Sequence, residues 1–298
     1  MKFGAVLPIW RLTTADAERL TLKAEELGWD GIFVPDHILA KPATTQHYGP
    51  SWPDPFSLLA FLAGRTRRIQ VGASVIVLPY RNPLVAAKSA ATVDQVSGGR
   101  FIFGIGVGWD EEEFKDLNLP FRERGKQTDE YLKIIKTAFA ADMPQFAGRY
   151  FTFGGATFAP RPVQKPHPPL WAGGAPGALS APAMRRAAEQ CDAWHPLGLS
   201  WADLEKGIAT VKELAKRAGR RDGAVRFAPR NMLALGPKDG SAGRAPYTGA
   251  PDEVAADVKR ARGLGCDWVT FDMPPTADVS GMVGVMERFV KEVKPAVG

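Results

Sequence analysis

The chain has 298 residues, 45% hydrophobic and 23% charged, enough to bury a large core as one α/β barrel or as two smaller domains. Its 38 basic and 32 acidic side chains leave a net charge of +6, but the basic residues come in separated groups such as Arg65, Arg67 and Arg68 or Arg185 and Arg186. That spacing favours a solvated surface over a nucleic-acid site, and a mildly basic field would suit an anionic small ligand.

No run of about eighteen apolar residues offers a membrane span, and Met1-Lys2-Phe3 leads straight into a strand pattern without a signal-peptide core. A cytoplasmic protein without membrane or nucleic-acid partners is expected. Cys191 and Cys266 are too few and too far apart for a disulfide framework or a zinc knuckle.

In chain order, apolar runs bounded by turn signals predict strands at residues 3–7, 32–34, 69–78, 101–107, 170–172, 193–195, 225–235 and 268–271. Helical patterns fill the gaps at 14–27, 55–63, 83–96, 124–139, 178–189, 202–218, 252–263 and 282–293. The turn Leu27-Gly28-Trp29-Asp30-Gly31 is echoed by Leu264-Gly265-Cys266-Asp267-Trp268, and more weakly by Glu189-Gln190-Cys191-Asp192-Ala193. In the first two a helix ends on Leu-Gly, and a strand starts just past the glycine.

Strands and helices alternating eight times predict an α/β fold, a (β/α)8 TIM barrel, with an open doubly wound sheet as runner-up. The spacing breaks between Trp109 and Leu170. Short aromatic runs around Gly154-Gly155 and a proline-rich stretch read as an insertion after strand 4, about residues 141–169, within a single domain over 1–298. A second long loop spans 40–53, and the polar, glycine-rich 236–249 is expected to be mobile.

In a β/α barrel the working face is the carboxyl end of the strands, which selects the candidates. Asp36-His37 is the acid–imidazole neighbour pair at a strand end, able to donate to an anionic ring or to accept a proton. Ser74 and Val75 end one strand; Gly106, Val107, Gly108 and Trp109 end the next, a seat for a flat ligand. The glycines there have two level readings, closure of a crowded interior or bare backbone against a ring.

The acids Asp110, Glu111, Glu112 and Glu113 would compete with a phosphate at that helix start. The better anion cradle is Gly173-Gly174-Ala175, followed by an acid-free helix start with Arg185 and Arg186 further along. Trp52 and Trp109 lie on loops of the working face and are read as pocket walls, whereas Trp268 is read as core. The histidines His37, His47, His167 and His195 share no ligand spacing, so no metal site is expected.

Taken together, these residues resemble the bacterial-luciferase-like family of flavin and deazaflavin barrels over nearly the whole chain. The matching pieces are Leu27-Gly28-Trp29-Asp30-Gly31 with Pro35-Asp36-His37, Asn82-Pro83, Asp94-Gln95-Val96-Ser97-Gly98-Gly99-Arg100-Phe101, and Gly104-Ile105-Gly106-Val107-Gly108-Trp109. Glu123-Arg124-Gly125 and Pro168-Pro169-Leu170-Trp171-Ala172-Gly173-Gly174 complete the set.

The resemblance implies reduced flavin or the deazaflavin coenzyme F420 with its ring at the strand ends and its phosphate near Gly173 and Gly174. The motifs are most similar to the deazaflavin-dependent branch, where a histidine matching His37 sits beside ring and substrate. His37 is therefore the expected catalytic residue. The expected cofactor contacts are Asp36, His37, Ser74, Val75, Gly106, Val107, Gly108, Gly173, Gly174 and Ala175, and those to substrate are Trp52, Trp109 and His195. The implied function is hydride transfer between F420 and a small organic substrate.

An FMN-dependent two-component monooxygenase and a non-catalytic flavin- or deazaflavin-binding protein are the alternatives. A homodimer and a non-prolyl cis peptide at Ser74-Val75, forming a bulge behind the ring, are also implied. Sugar-phosphate dehydrogenases of this branch carry a glutamate where this chain has Trp109. That departure favours a more apolar, aromatic-walled pocket.

Overall fold

The computed structural model describes residues 1–241, 243–274 and 278–298. Two compact units divide the chain: Met1–Pro8, Leu12–Phe33 and Trp171–Gly298 form one, and Ile9–Arg11 with Val34–Leu170 form the other.

In the first unit the strand Lys2–Val6 pairs in parallel with Gly31–Val34 on one side and Trp268–Asp272 on the other. Arg230–Met232 extends this set beside Trp268–Asp272, and a second parallel set runs from Leu170–Gly173 through Ala193–His195 to Arg226–Phe227. Both Leu-Gly helix ends close as the sequence implies. After the helix Thr14–Glu26, Gly28 adopts φ +75°, its N–H reaches Glu25 O, and Trp29 N–H reaches Ala24 O. Gly265 repeats the turn with φ +84° after Pro251–Gly263, satisfying carbonyls that the helix leaves open. The core carries Phe289 edge-on to Phe3 and tilted against Trp29 and Phe271, each ring centroid 5.1 Å away, and Trp268 against Phe33 and Trp171.

Two expectations need correction in this unit. The run 225–235 is three short strands, Arg226–Phe227, Arg230–Met232 and Ala234–Leu235, each with a different partner. Pro229 lies between the first two and has no N–H for a ladder, so the strand changes neighbours there. In the stretch 236–249, the described Thr248–Gly249 pairs with Ala234–Leu235, and Arg244 forks onto Asp257 at 2.7 and 2.8 Å. The Glu253 carboxylate also accepts the N–H groups of Asp239, Gly240 and Ala250. Finally, the last helix is α-helical over Val279–Arg288 and turns into a π-helix over Phe289–Val293.

In the second unit the predicted strand 69–78 is split into Gln70–Ala73 and Ile76–Val77. The intervening Ser74–Val75 peptide is cis, the geometry that the resemblance implies. Both pieces pair in parallel with Phe101–Gly106, but the register slips by one residue across the break, which is a bulge. Helices Pro55–Arg65 and Pro83–Ser97 start where Asp54 and Asn82 cap the first turn and proline takes the first position, where no N–H is missed. Arg100 fastens the end of the first of these helices to the strand by donating to the carbonyls of Ala63, Thr66 and Ile69. The insertion contains one antiparallel pair, Phe146–Ala147 with Thr152–Phe153, whose tip is held by Glu130 accepting the N–H groups of Arg149, Tyr150 and Phe151. Two short helices, Pro42–His47 and Glu111–Asp116, were not expected from the pattern. Among the described residues, no helix is long and apolar enough to cross a membrane.

Candidate active site

Pro35-Asp36-His37 follows directly from the end of Gly31–Val34. The His37 side chain is buried, and its Nδ1 lies 2.7 Å from Oε2 of Glu113, a residue 76 positions later in sequence. Asp110 caps the helix Glu111–Asp116, and its side chain accepts the Glu112 and Glu113 N–H groups, which sets Glu113 on the inner side of the first turn. There Glu113 has no solvent exposure. Its Oε1 accepts the N–H groups of Ile38 at 2.6 Å and Leu39 at 2.9 Å, while the Tyr80 hydroxyl donates to Oε2 at 2.6 Å.

Burial by itself would push the Glu113 carboxyl up. The hydrogen bonds from His37, Tyr80, Leu39 and Ile38 more than offset it and hold the group below the ordinary glutamate range. A carboxylate can only accept, so the Nδ1 facing it carries the proton. The same arrangement drives the Tyr80 phenol upward, through burial and the bond to Glu113, so it stays a donor.

Asp36 does not partner its neighbour. Consecutive residues of an extended segment point opposite ways, and its carboxylate meets Arg81 through two bonds of 2.5 and 2.9 Å and the Val77 N–H at 2.9 Å. Burial pushes Asp36 up, and Arg81 and the Val77 amide pull it back. Arg81 reaches Asp54 as well, at 3.3 Å. Asp36, expected at the cofactor, is thus tied into the unit's own ion-pair network.

The two tryptophans come together around the imidazole. Trp52 meets His37 edge to face at 4.7 Å between centroids and Trp109 does so at 5.6 Å. Trp52 is braced by donating its indole N–H to Gly49 O and by packing on Trp10 and Tyr48. Trp109 is 47% exposed, and Ile38, Leu39 and Tyr48 are also exposed apolar side chains of this unit.

The glycines of the same strand end are explained by packing. A Cβ on Gly104 would collide with Ala73 O, one on Gly106 would lie 2.6 Å from Val75 Cγ2, and one on Gly108 would lie 2.7 Å from Phe114 and 2.8 Å from Val77. Ser74 and Val75 are held in this close contact, with the Ser74 N–H donating to Val34 O. Of the two level readings for these glycines, the crowded interior has direct geometric support.

The remaining candidates fall in the other unit. Gly173 ends its strand, and a Cβ on Gly174 would make only an ordinary 3.6 Å contact with Pro196. Nothing in the chain itself demands a glycine there, which fits backbone left bare for a ligand. The helix begins at Ala181 behind the Ser180 cap, later than the expected 178. Residues 177 and 178 are spent in a turn whose N–H groups go to Leu197 O and Ala175 O. Arg185 pairs with Glu189, and Arg186 is buried, so the cradle is a loop without the helix start and arginines that were expected to complete it. His195 donates from Nδ1 to Ala228 O at 2.5 Å, its ring 5.3 Å from Trp171. Burial pushes it down to about 4, so it is neutral at pH 7. Among the described residues no group of histidine, cysteine or acidic side chains is arranged to hold a metal.

Sequence reasoning missed the parts that Glu113 and Arg81 play. The acids after Trp109 read as a repulsive helix start, and one-dimensional spacing contains no signal that selects the third of them as the partner of a distant histidine.

The family described as luciferase-like monooxygenase matches residues 1–245. An uncharacterized protein of Mycobacterium bovis is 30% identical over 264 residues, covering 80% of this chain and 89% of its own, and a Mycobacterium tuberculosis protein matches equally well. Among solved structures, the monooxygenase RslO1 from Streptomyces bottropensis superposes with a TM-score of 0.83 at 23% identity over 100% of both chains. The coenzyme F420 dependent tetrahydromethanopterin reductase from Methanopyrus kandleri gives 0.81 at 20%, over 100% of this chain and 99% of its own. An F420-dependent secondary alcohol dehydrogenase, solved with an F420-acetone adduct, gives 0.83 at 18% with the same coverage. The fold is the α/β (β/α)8 barrel of these proteins, with the insertion after strand 4.

Proposed function

The chain belongs to the luciferase-like monooxygenase family, and from that premise we propose that it is a coenzyme F420-dependent oxidoreductase acting on a small, neutral, largely apolar organic substrate. The observation that carries this reading is His37, backed by an ionised, fully buried Glu113 and walled by Trp52 and Trp109. The deazaflavin, when bound, supplies the carbon that exchanges a hydride with the substrate. A hydride exchanged at a carbinol or carbonyl carbon requires a proton to move at the attached oxygen, and His37 is the group suited to take or return it.

The substrate class follows from what surrounds the imidazole. Arg81 is committed to Asp36 and Asp54, Lys41 pairs with Asp116, and Arg124 donates to Gly108 O. These cations are therefore already engaged, while the aromatic walls offer apolar area. Trp109 also puts an indole where the sugar-phosphate enzymes of this branch carry an acid.

Fluorescence titration of the purified chain with F420 and with FMN tests the reading. F420 is expected to bind at least about tenfold more tightly, a difference of about 1.4 kcal/mol. Tighter FMN binding, with oxygen consumption when reduced flavin is added, would instead identify a two-component monooxygenase. His37→Ala should keep its F420 affinity and lose about 10²- to 10⁴-fold in turnover of whichever alcohol or ketone proves to be the substrate. Unchanged turnover removes the histidine from the chemistry, and binding of F420 without turnover of any alcohol or ketone points to a carrier.

A further inference from the structure

We infer that Glu113 is the positioning residue of His37: it fixes the imidazole as the Nδ1–H tautomer, so that Nε2 presents its lone pair as the proton acceptor. This rests on the role proposed for His37 and adds which ring nitrogen works and what selects it.

The inference stands on the four hydrogen bonds that converge on one carboxylate. Oε1 is occupied by the main-chain N–H groups of Ile38 and Leu39, the two residues that follow His37, so the peptide carrying the imidazole and the carboxylate that faces it are locked together. Oε2 receives the Tyr80 hydroxyl and the Nδ1 proton. All four groups donate, and none can accept from an ionised glutamate in return. Nδ1 therefore carries a proton whatever the charge of the ring, the neutral ring can only be the Nδ1–H tautomer, and Nε2, on the far side, has no partner among the described residues. Trp52 and Trp109 pack edge to face on the imidazole and limit its rotation.

In the oxidation of a substrate hydroxyl, a deazaflavin held here would take the electron pair of the breaking C–H bond as hydride. The O–H bond breaks with the proton going to Nε2, and the carbonyl forms. The imidazolium then sits 2.7 Å from a carboxylate that stabilises it. Reduction is the same path in reverse, with Nε2–H returning the proton.

The test reads the tautomer by histidine ¹⁵N NMR in the full chain without cofactor, so failure of the F420 titration and failure of this inference are separate results. The chain has four histidines, and His37→Gln identifies the relevant signals by their loss. The unaltered protein, at a pH where the ring is uncharged, should show a pyrrole-type Nδ1 and a pyridine-type Nε2 for His37. In Glu113→Gln, the two main-chain donors keep the amide oxygen, which turns the amide NH₂ toward Nδ1. The ring should then flip to the Nε2–H form, the type of change that costs about 10⁴-fold when an amide replaces the acid behind a catalytic imidazole. Tyr80→Phe removes one donor and should leave the tautomer as it was. An Nε2–H form in the unaltered protein overturns the inference, as does a folded Glu113→Gln variant with unchanged signals. If Glu113→Gln does not fold, the spectra of the unaltered protein and of Tyr80→Phe still decide, since an Nε2–H form in either refutes it.

Discussion

Asp36 and His37 are adjacent in sequence and serve separate networks. Asp36 with Arg81 is the ion pair on which the local fold depends. The Asp36 carboxylate is fully buried and the Arg81 side chain 11% exposed, so removing the cation strands a charge that water cannot reach. Arg81→Ala should destabilise the protein by about 3–5 kcal/mol in denaturant unfolding. Adding Asp36→Asn to it should recover part of the loss, because the buried charge is gone. An Arg81→Ala loss below about 1 kcal/mol would mean that the pair is a surface-like contact. The residue type at each position was legible from sequence. The partner was not, because an imidazole and a carboxylate 76 residues apart meet only when a helix start folds over a strand end.

At the scale of elements, the seam between Ile76–Val77 and Phe101–Gly106 shows why glycines recur at one strand end. Gly106→Ala places a methyl 2.6 Å from Val75 Cγ2. The close packing should translate this into a loss of about 1–3 kcal/mol. Val75→Ala in the same chain should return much of it, and a double-mutant cycle would read the coupling. Purely additive losses would show that the two side chains do not compete for the same space.

The Leu-Gly helix ends at Gly28 and Gly265 and the helix start at Asn82-Pro83 were legible in the sequence, since each acts through bonds to its own neighbours. Strands were legible as apolar runs but not in their breaks. Pro229 changes which neighbour a strand pairs with and the bulge at Ser74–Val75 changes the register with the same neighbour, and both are tertiary facts.

For the molecule as a whole, His195 should give stability a pH dependence. Burial depresses its pKa, the hydrogen bond to Ala228 O opposes that and Arg230 adds to it, leaving about 4 against an ordinary 6.5. Below 6.5 the unfolded chain binds a proton that the folded one refuses, so stability falls as pH drops from about 6.5 to about 4, by on the order of 3 kcal/mol. Thermal unfolding across that range should show the decline, and His195→Gln should flatten it. An equal slope in the variant would assign the effect to other groups.

The sequence by itself determined the alternation of strands and helices, the helix caps, the left-handed glycine turns and the carriage of an imidazole to a strand end. These follow from backbone geometry and side-chain periodicity within a few residues. Tertiary structure alone decided that Glu113 and not Asp36 faces His37. It also decided that Gly106 yields to Val75, and that the loop after Ala234–Leu235 is held by Glu253 and Asp257. Each of those depends on burial and on hydrogen bonds between segments far apart in the chain, and their energies exist only once the chain has closed on itself.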